Sequence, residues 1–124
     1  GQLSDAEPLF RQTLSGRTER LGAEDQKTLT SRENLAELLR LQGRLDEAEP
    51  LHRQSLKCLE ALFGGEHPRT LASVSTLAAI VQERGLLRDA EPLFRRALEG
   101  RRVQLGSTHP QTLASFDGLA TLLE

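Results

Sequence analysis

Apolar residues recur every three or four positions over long stretches of the chain, which is the spacing of one face of an α-helix. In residues 69–84 the stripe consists of Leu71, Val74, Leu77, Ala78 and Val81. A longer stripe in residues 45–63 consists of Leu45, Ala48, Leu51, Ser55, Leu56, Leu59, Leu62 and Phe63. The pattern predicts two kinds of amphipathic helix, called A (as in 69–84) and B (as in 45–63).

The two helices belong to one repeating unit. The tetrapeptide Ala-Glu-Pro-Leu occurs at 6–9, 48–51 and 90–93, so the offset is 42 residues each time. The same offset relates further matched positions, which are Gly22, Gly64 and Gly106; Thr28, Thr70 and Thr112; and Leu35, Leu77 and Leu119. A fixed period of this size is the signature of a stacked-repeat fold.

Residues that favour helix ends lie between the segments. Gly64 and Gly106 suit the left-handed position just past a helix, and Pro68 and Pro110 suit a first helical position. In the first unit, Asp25 stands where the others have histidine, and we expect it to cap the following helix through its side chain. The prolines of the repeated tetrapeptide, Pro8, Pro50 and Pro92, are expected near the first turn of helix B, without breaking it.

These signals predict an all-α chain, folded as a single solenoid over residues 1–124. The predicted elements are helix B at about 3–20, helix A at 27–42 with helix B at 45–63, helix A at 69–84 with helix B at 87–105, and helix A at 111–124. Terminal repeats of a solenoid normally carry polar caps, and neither end differs from the other units. We therefore expect a fragment of a longer array or, alternatively, end-to-end contacts with further repeats or a larger complex.

Composition narrows the possible functions. A net charge of −2 gives no basic surface for nucleic acid, and no apolar run approaches the ~18 residues of a membrane span. A single cysteine, Cys58, excludes an internal disulfide and is compatible with a reducing compartment but does not require one, so the localisation stays open, with the cytoplasm as the default. No nucleophile, phosphate-binding or metal motif is present, so we expect no enzyme and no cofactor. His67 and His109 are interpreted as loop residues, and Cys58 leaves a reactive thiol as a minor alternative.

Small residues at matched positions carry a resemblance to a known family. They are Ala36, Ala78 and Ala120 on one helix of the pair and Ala6, Ala48 and Ala90 on the other. In this respect the chain resembles tetratricopeptide repeats of the long kinesin light chain and nephrocystin-3 type. The resemblance implies a right-handed α-α superhelix of antiparallel helix pairs that serves as a protein-interaction scaffold.

The chain departs from that family at several positions. Leu39, Val81, Leu45 and Leu87 replace its usual tyrosines, and Arg32 and His52 occupy places that are normally apolar. The paired asparagines that often face bound peptide in helix A survive only as Asn34, with Thr76 and Gly118 at its equivalents.

In such a superhelix the A helices line the concave surface, which gives a predicted partner-binding groove. Its residues are Thr30, Glu33, Asn34, Glu37, Arg40, Ser75, Thr76, Ala79, Gln82, Asp117 and Thr121. This surface is mildly acidic, so a basic or neutral partner segment is favoured over an acidic one. The alternative is that these are ordinary solvated side chains.

Basic residues concentrate on the B helices. They are Arg11, Arg17, Arg20, Arg53, Lys57, Arg95, Arg96, Arg101 and Arg102. They form either a convex contact surface or, by the favoured interpretation, a solvated face with intrahelical pairs such as Glu49 with Arg53 and Glu91 with Arg95.

The leading functional hypothesis is an adaptor that holds a partner peptide or domain along the groove. The rival is a fixed structural subunit or assembly factor of a larger multiprotein complex.

Overall fold

The computed structural model describes the backbone of residues 2–123 and the side chains of residues 5–123. Over this range the chain forms six α-helices and no strand. They are α1 (Gln2–Leu21), α2 (Gln26–Leu41), α3 (Leu45–Phe63), α4 (Pro68–Glu83), α5 (Leu87–Leu105) and α6 (Pro110–Leu123). The all-α prediction is confirmed, with α1, α3 and α5 as B helices and α2, α4 and α6 as A helices. Glu124, the last residue of the predicted helix 111–124, lies outside the described residues.

The A helices begin one residue before the predicted positions because their caps are fixed by side chains. Asp25 accepts a hydrogen bond from the Lys27 N–H at 2.8 Å, as expected from the sequence. Pro68 and Pro110 are the first residues of α4 and α6, where the missing N–H of proline would have had no intrahelical partner.

All three B helices end at a glycine with a positive φ. Gly22 after α1 has a φ of 90° and donates its N–H to the Thr18 carbonyl. Gly64 and Gly106 both have a φ of 91°, and each donates its N–H to a carbonyl four residues earlier, those of Glu60 and Arg102. A residue with a Cβ is strained at this φ, so the repeated glycine ends each helix at the same position of the unit.

The prolines lie deeper in the B helices than expected. Pro50 and Pro92 are each the sixth residue of their helix, which is the second turn and not the first. Neither helix is broken there. Both prolines are exposed, so water can bond to the carbonyls that lose their helical N–H partner.

Packing divides the chain into two compact units, Gly1–Cys58 and Leu59–Glu124, with the boundary inside α3. In the first unit α1 packs against α2, and the core is built from aliphatic side chains of α2. Those with at most 1% exposure are Leu29, Leu35, Ala36 and Leu39. The prediction of one solenoid over the whole chain stays a prediction.

In the second unit α5 packs against both α4 and α6. Two glycines allow this close approach. A Cβ at Gly100 would come within 2.7 Å of Leu71 on α4, and a Cβ at Gly118 on α6 would come within 2.8 Å of the Phe94 ring on α5. Only a residue without a side chain leaves room for Leu71 and Phe94 in these positions.

An arginine links successive helices at two matched places. Arg17 on α1 donates to Ser31 on α2 at 2.8 Å, and Arg101 on α5 donates to Ser115 on α6 at 2.8 Å. These pairs are related by twice the repeat length. In the repeat between these two, Leu59 and Ser73 occupy the equivalent positions. Leu59 is buried and cannot donate, and the buried Ser73 hydroxyl has no hydrogen-bond partner among the described residues.

Candidate functional site

The predicted binding residues of α2 share the side of the helix that the core leaves uncovered. Thr30 and Asn34 are exposed, and Glu33, Glu37 and Arg40 are half-buried. Arg40 forms an ion pair with Glu37 at 3.5 Å. With Glu33 the face carries two carboxylates and one guanidinium, which leaves it mildly acidic, as expected.

The predicted residues of the second unit lie on α4 and α6, which contact each other. Ser75, Thr76, Ala79 and Gln82 on α4 are half-buried, whereas Asp117 and Thr121 on α6 are exposed. The Thr76 hydroxyl donates to the Ala72 carbonyl of its own helix at 3.1 Å. The sides of α4 and α6 that carry these residues therefore remain open to solvent to different degrees.

The structure gives a physical reason why α6 has Gly118 at the position that Asn34 occupies on α2. Asn34 is an exposed side chain, but at the equivalent position of α6 any Cβ would meet Phe94 at 2.8 Å. Gly118 therefore serves the packing of α6 on α5. An asparagine there would displace a phenylalanine that is only 6% exposed.

A small cavity adjoins Asn34 in the first unit. It has a volume of about 150 Å³ and is lined by Phe10, Thr13, Arg17, Ser31 and Asn34. Its lining combines an aromatic ring with amide, hydroxyl and guanidinium groups. A cavity of this size and chemistry can take one small side chain of a bound segment.

His52 on α3 is only 6% exposed. Neither ring nitrogen has a hydrogen-bond partner among the described residues. Burial lowers the pKa of His52, the nearby charge of Glu37 opposes that change, and the charge of Arg40 adds to it. The repeat-equivalent residue of the second unit, Phe94, is equally buried, so His52 is a polar residue at an apolar core position.

The basic residues of the B helices mostly have partners within the protein. The expected intrahelical pairs are present, with Arg53 at 2.9 Å from Glu49 and Arg95 at 3.1 Å from Glu91. Arg96 reaches to another helix and donates to Glu60 at 2.8 Å. These contacts support the interpretation of a solvated, internally paired face.

One charge cluster was not anticipated from the sequence. Glu7 on α1 pairs with Arg11 and with Arg44, and Arg44 pairs in turn with Glu47 at the start of α3. Hydrogen bonds from Arg11 and Arg44 lower the pKa of the Glu7 carboxyl. The residue equivalent to Arg44 in the next repeat is Leu86, which carries no charge, so the repeat pattern did not predict this contact.

The capping role of two histidines was not predicted from the sequence. The Nδ1 atoms of His67 and His109 accept hydrogen bonds from the N–H groups of Arg69 and Gln111, both at 3.1 Å. They cap α4 and α6 as Asp25 caps α2. Both histidines occupy the position of Asp25 in their repeats, so their capping role could have been predicted from the sequence.

Two features are absent from the part of the chain that the structure describes: a cluster of metal-ligating side chains and a helix that could span a membrane. No group of three or more His, Cys, Asp or Glu residues is placed to hold a metal ion. None of the described helices is long and apolar enough to cross a membrane.

The sequence of the chain matches the tetratricopeptide repeat family over residues 1–61, 27–102 and 71–124, which overlap to cover its full length. The chain belongs to the tetratricopeptide repeat family. Repeats of this family generally mediate protein–protein interaction and are typically non-catalytic. No curated protein sequence matches the chain.

Two solved structures match the fold of this chain. A proposed kinesin light chain of Podosopora anserina, with nearly identical TPR-like repeats, is 30% identical and gives a TM-score of 0.88 over 98% of this chain. BtubC (BKLC) from P. vanneervenii is 21% identical and gives a TM-score of 0.87 over 98% of this chain. The chain spans 58% and 49% of these two proteins, respectively. The predictions of a helical-repeat solenoid and of kinesin light chain-like repeats are confirmed.

Proposed function

We propose that the chain is an adaptor that binds a segment of a partner protein through the uncovered sides of its A helices. These sides belong to α2 in the first unit and to α4 and α6 in the second. The observation that carries the proposal is the side of α2 that bears Glu33, Asn34 and Glu37, where Asn34 lines a cavity of about 150 Å³. Carboxylates, an amide and a small recess together suit a polypeptide, whose backbone needs hydrogen-bond partners and whose side chains need pockets.

The charge of this side of α2 favours a basic or neutral segment. Glu37 pairs with Arg40, and a lysine or arginine of the partner would also be attracted to the carboxylates on this side of α2. An acidic segment would meet like charge on Glu33 and Glu37. The repulsion between these like charges would weaken the binding of an acidic segment relative to that of a basic one.

A comparison of variants in native extract tests this proposal. The intact chain is used as bait beside a variant with Glu33, Asn34, Glu37 and Asp117 changed to alanine. A matched control carries Arg53→Ala and Arg95→Ala, which change exposed residues of the B helices. We expect the first variant to lose a specific set of partners that the control retains, with both variants keeping the helical circular dichroism of the intact chain.

The rival function is a fixed structural subunit of a larger complex. It predicts that the intact chain, the four-residue variant and the control all recover the same large complex. That result, with folding unchanged, would refute binding through the A helices.

A further inference from the structure

Two residues of the first unit depart from the repeat pattern and contact each other. Position 32 on α2 is an arginine where the next repeat has Val74, and position 58 on α3 is a cysteine where the next repeat has Gly100. The Nη1 atom of Arg32 lies 3.8 Å from the Sγ atom of Cys58. The two exceptional side chains of this unit therefore meet between α2 and α3.

Arg32 is a buried cation without an anionic partner. Its side chain belongs to a residue that is only 5% exposed. Nη2 donates to the Ala23 carbonyl at 3.2 Å, whereas Nη1 is directed at the sulfur of Cys58, which is a weak acceptor. None of the carboxylates in the described part of the chain pairs with Arg32. The guanidinium has thus lost its hydration without gaining an opposite charge, which is energetically unfavourable.

The sulfur that faces this cation can be reached from solvent. Cys58 is half-buried, and the preceding residue of α3, Lys57, is exposed. Besides Arg32, the Sγ atom has the Ala23 carbonyl oxygen at 3.8 Å, a distance at which a thiol forms only a weak hydrogen bond. A small reagent can therefore approach the sulfur from outside, while the guanidinium lies in the interior.

The distance between the two side chains suits an oxygen atom bonded to the sulfur. Hydrogen bonds from a guanidinium to an anionic oxygen are about 2.7–2.9 Å long. Because Nη1 and Sγ are 3.8 Å apart, an oxygen on the Arg32 side of the sulfur comes within this range of Nη1. A negatively charged oxygen at this place would supply the anion that the buried guanidinium lacks.

We propose that Cys58 is an oxidation site, at which a hydroperoxide converts the thiol to a sulfinate whose oxygens accept hydrogen bonds from Arg32. In the first step the sulfur attacks the outer peroxide oxygen, so that an S–O bond forms and the O–O bond breaks. The thiol proton leaves with the other oxygen as water or an alcohol; sulfur is oxidised by two electrons and the peroxide is reduced by two. A second hydroperoxide oxidises the sulfenic acid in the same way, and the sulfinic acid releases its proton to water.

The proposal predicts the sign of the change in stability. The sulfinate would replace a weak sulfur contact by an ion pair between α3 and α2, so oxidation should stabilise the first unit. Without the guanidinium, the same modification would place an unpaired anion against a packed surface and destabilise it. This sign distinguishes a sulfinate bound by Arg32 from incidental oxidation of a half-buried thiol.

Treatment of the intact chain with hydrogen peroxide, followed by mass spectrometry and thermal unfolding, tests the proposal. The sequence contains no methionine, tryptophan or tyrosine, and Cys58 carries its only sulfur atom, so a gain of oxygen reports on this residue. We expect a pair of oxygen atoms on the peptide that contains Cys58. The Tm of the oxidised chain should rise by about 2–5 °C relative to the reduced chain.

Two variants remove the cation. Arg32→Gln keeps most of the length of the side chain, and Arg32→Val introduces the residue of the next repeat. In both, oxidation should lower the Tm by about 2–5 °C instead of raising it. Arg53→Ala is the matched control, because it removes an exposed arginine from the helix that carries Cys58 and should respond like the intact chain. Cys58→Ser should gain no oxygen.

Three results would overturn the proposal. The same change in Tm on oxidation of the intact chain and of the Arg32 variants would show that Arg32 does not bind the sulfinate. Disulfide-linked dimers in place of the sulfinate, seen on a non-reducing gel, would show that a second thiol captures the oxidised sulfur. A thiol that survives peroxide concentrations sufficient to oxidise free cysteine would show that Sγ is inaccessible. Circular dichroism confirms the fold of each variant beforehand, and Arg32→Gln carries the comparison if Arg32→Val does not fold.

Discussion

Gly100 lies directly against Leu71, so closely that a Cβ on the glycine would come within 2.7 Å of a Leu71 methyl carbon and within 3.3 Å of its Cγ. Leu71 is only 1% exposed and its surroundings are packed. A side chain at position 100 must therefore displace a core leucine. In a helix, glycine is normally unfavourable, and here the packing between α4 and α5 explains its presence.

The first prediction follows from this contact. Gly100→Ala should lower the free energy of unfolding by about 1–2 kcal/mol, because overpacking costs about 1–3 kcal/mol and the gain in helix propensity offsets about 0.5–1 kcal/mol of it. Urea denaturation followed by circular dichroism measures the change.

The repeat supplies a matched control for this substitution. Gly16 is at the equivalent position, but a Cβ there would meet nothing within 4 Å. Gly16→Ala should therefore raise the free energy of unfolding by about 0.5–1 kcal/mol through helix propensity alone, measured by the same urea denaturation. Equal effects of the two substitutions would contradict the proposed role of the Leu71 contact.

The second prediction concerns the threonine that recurs at positions 70 and 112, where its surroundings differ. Thr70 is completely buried, and its hydroxyl donates to the Gly64 carbonyl at 2.8 Å, just past the end of α3. Thr70→Val keeps the shape but removes the hydroxyl that bonds to the Gly64 carbonyl and, at 3.4 Å, to the buried Leu59 carbonyl. We expect a loss of about 1–2 kcal/mol in the free energy of unfolding.

Thr112 is the equivalent residue, 2% exposed, and its hydroxyl has no hydrogen-bond partner among the described residues. Thr112→Val should thus be neutral or stabilise the protein by up to about 1 kcal/mol. Thermal unfolding of both variants beside the intact chain gives the comparison. A larger loss for Thr112→Val than for Thr70→Val would show that the hydroxyl of Thr112 is bonded in solution.

The third prediction is a loss of stability in mild acid caused by His52. Burial holds the pKa of His52 below its ordinary value of 6.5, with Glu37 opposing and Arg40 adding to the effect. As the pH falls through 6.5, the unfolded chain takes up the proton first, so the free energy of unfolding decreases. The decrease continues until the pH reaches the lower pKa of the folded state.

His52→Phe should remove this part of the pH dependence, since phenylalanine does not titrate and the equivalent Phe94 is equally buried. His52→Gln should remove it as well, although it leaves a polar group in the core. Denaturation midpoints across roughly pH 5 to 7, the range in which histidine titrates, are the measurement. The same acid sensitivity in both variants would rule out His52 as its source.

The sequence by itself determined the local structure. The apolar spacing and the glycines and prolines between segments located all six helices, because these signals act within one or two helical turns, and the repeat of 42 residues showed that the same signals recur along the chain. Asp25 was identified as a cap for the same reason, since an N-cap hydrogen bond joins residues only two or three apart.

The partner-binding residues remain a prediction. Periodicity correctly placed Thr30, Glu33, Asn34 and Glu37 on a side of α2 that the core does not bury. It could not show that Gly118 is occupied in packing against Phe94, because that contact joins different helices. Whether any of these residues binds a partner depends on the experiment with the four-residue variant.

Only the tertiary structure decided how equivalent residues of the repeat differ. Gly16 and Gly100 have the same place in the sequence pattern, but one faces open space and the other a buried leucine. Thr70 and Thr112 differ in the same way, by the presence of a hydrogen-bond partner. The reason is physical: a repeat specifies the helix, whereas burial and bonding depend on which neighbouring helix lies against it, and that neighbour is distant in sequence.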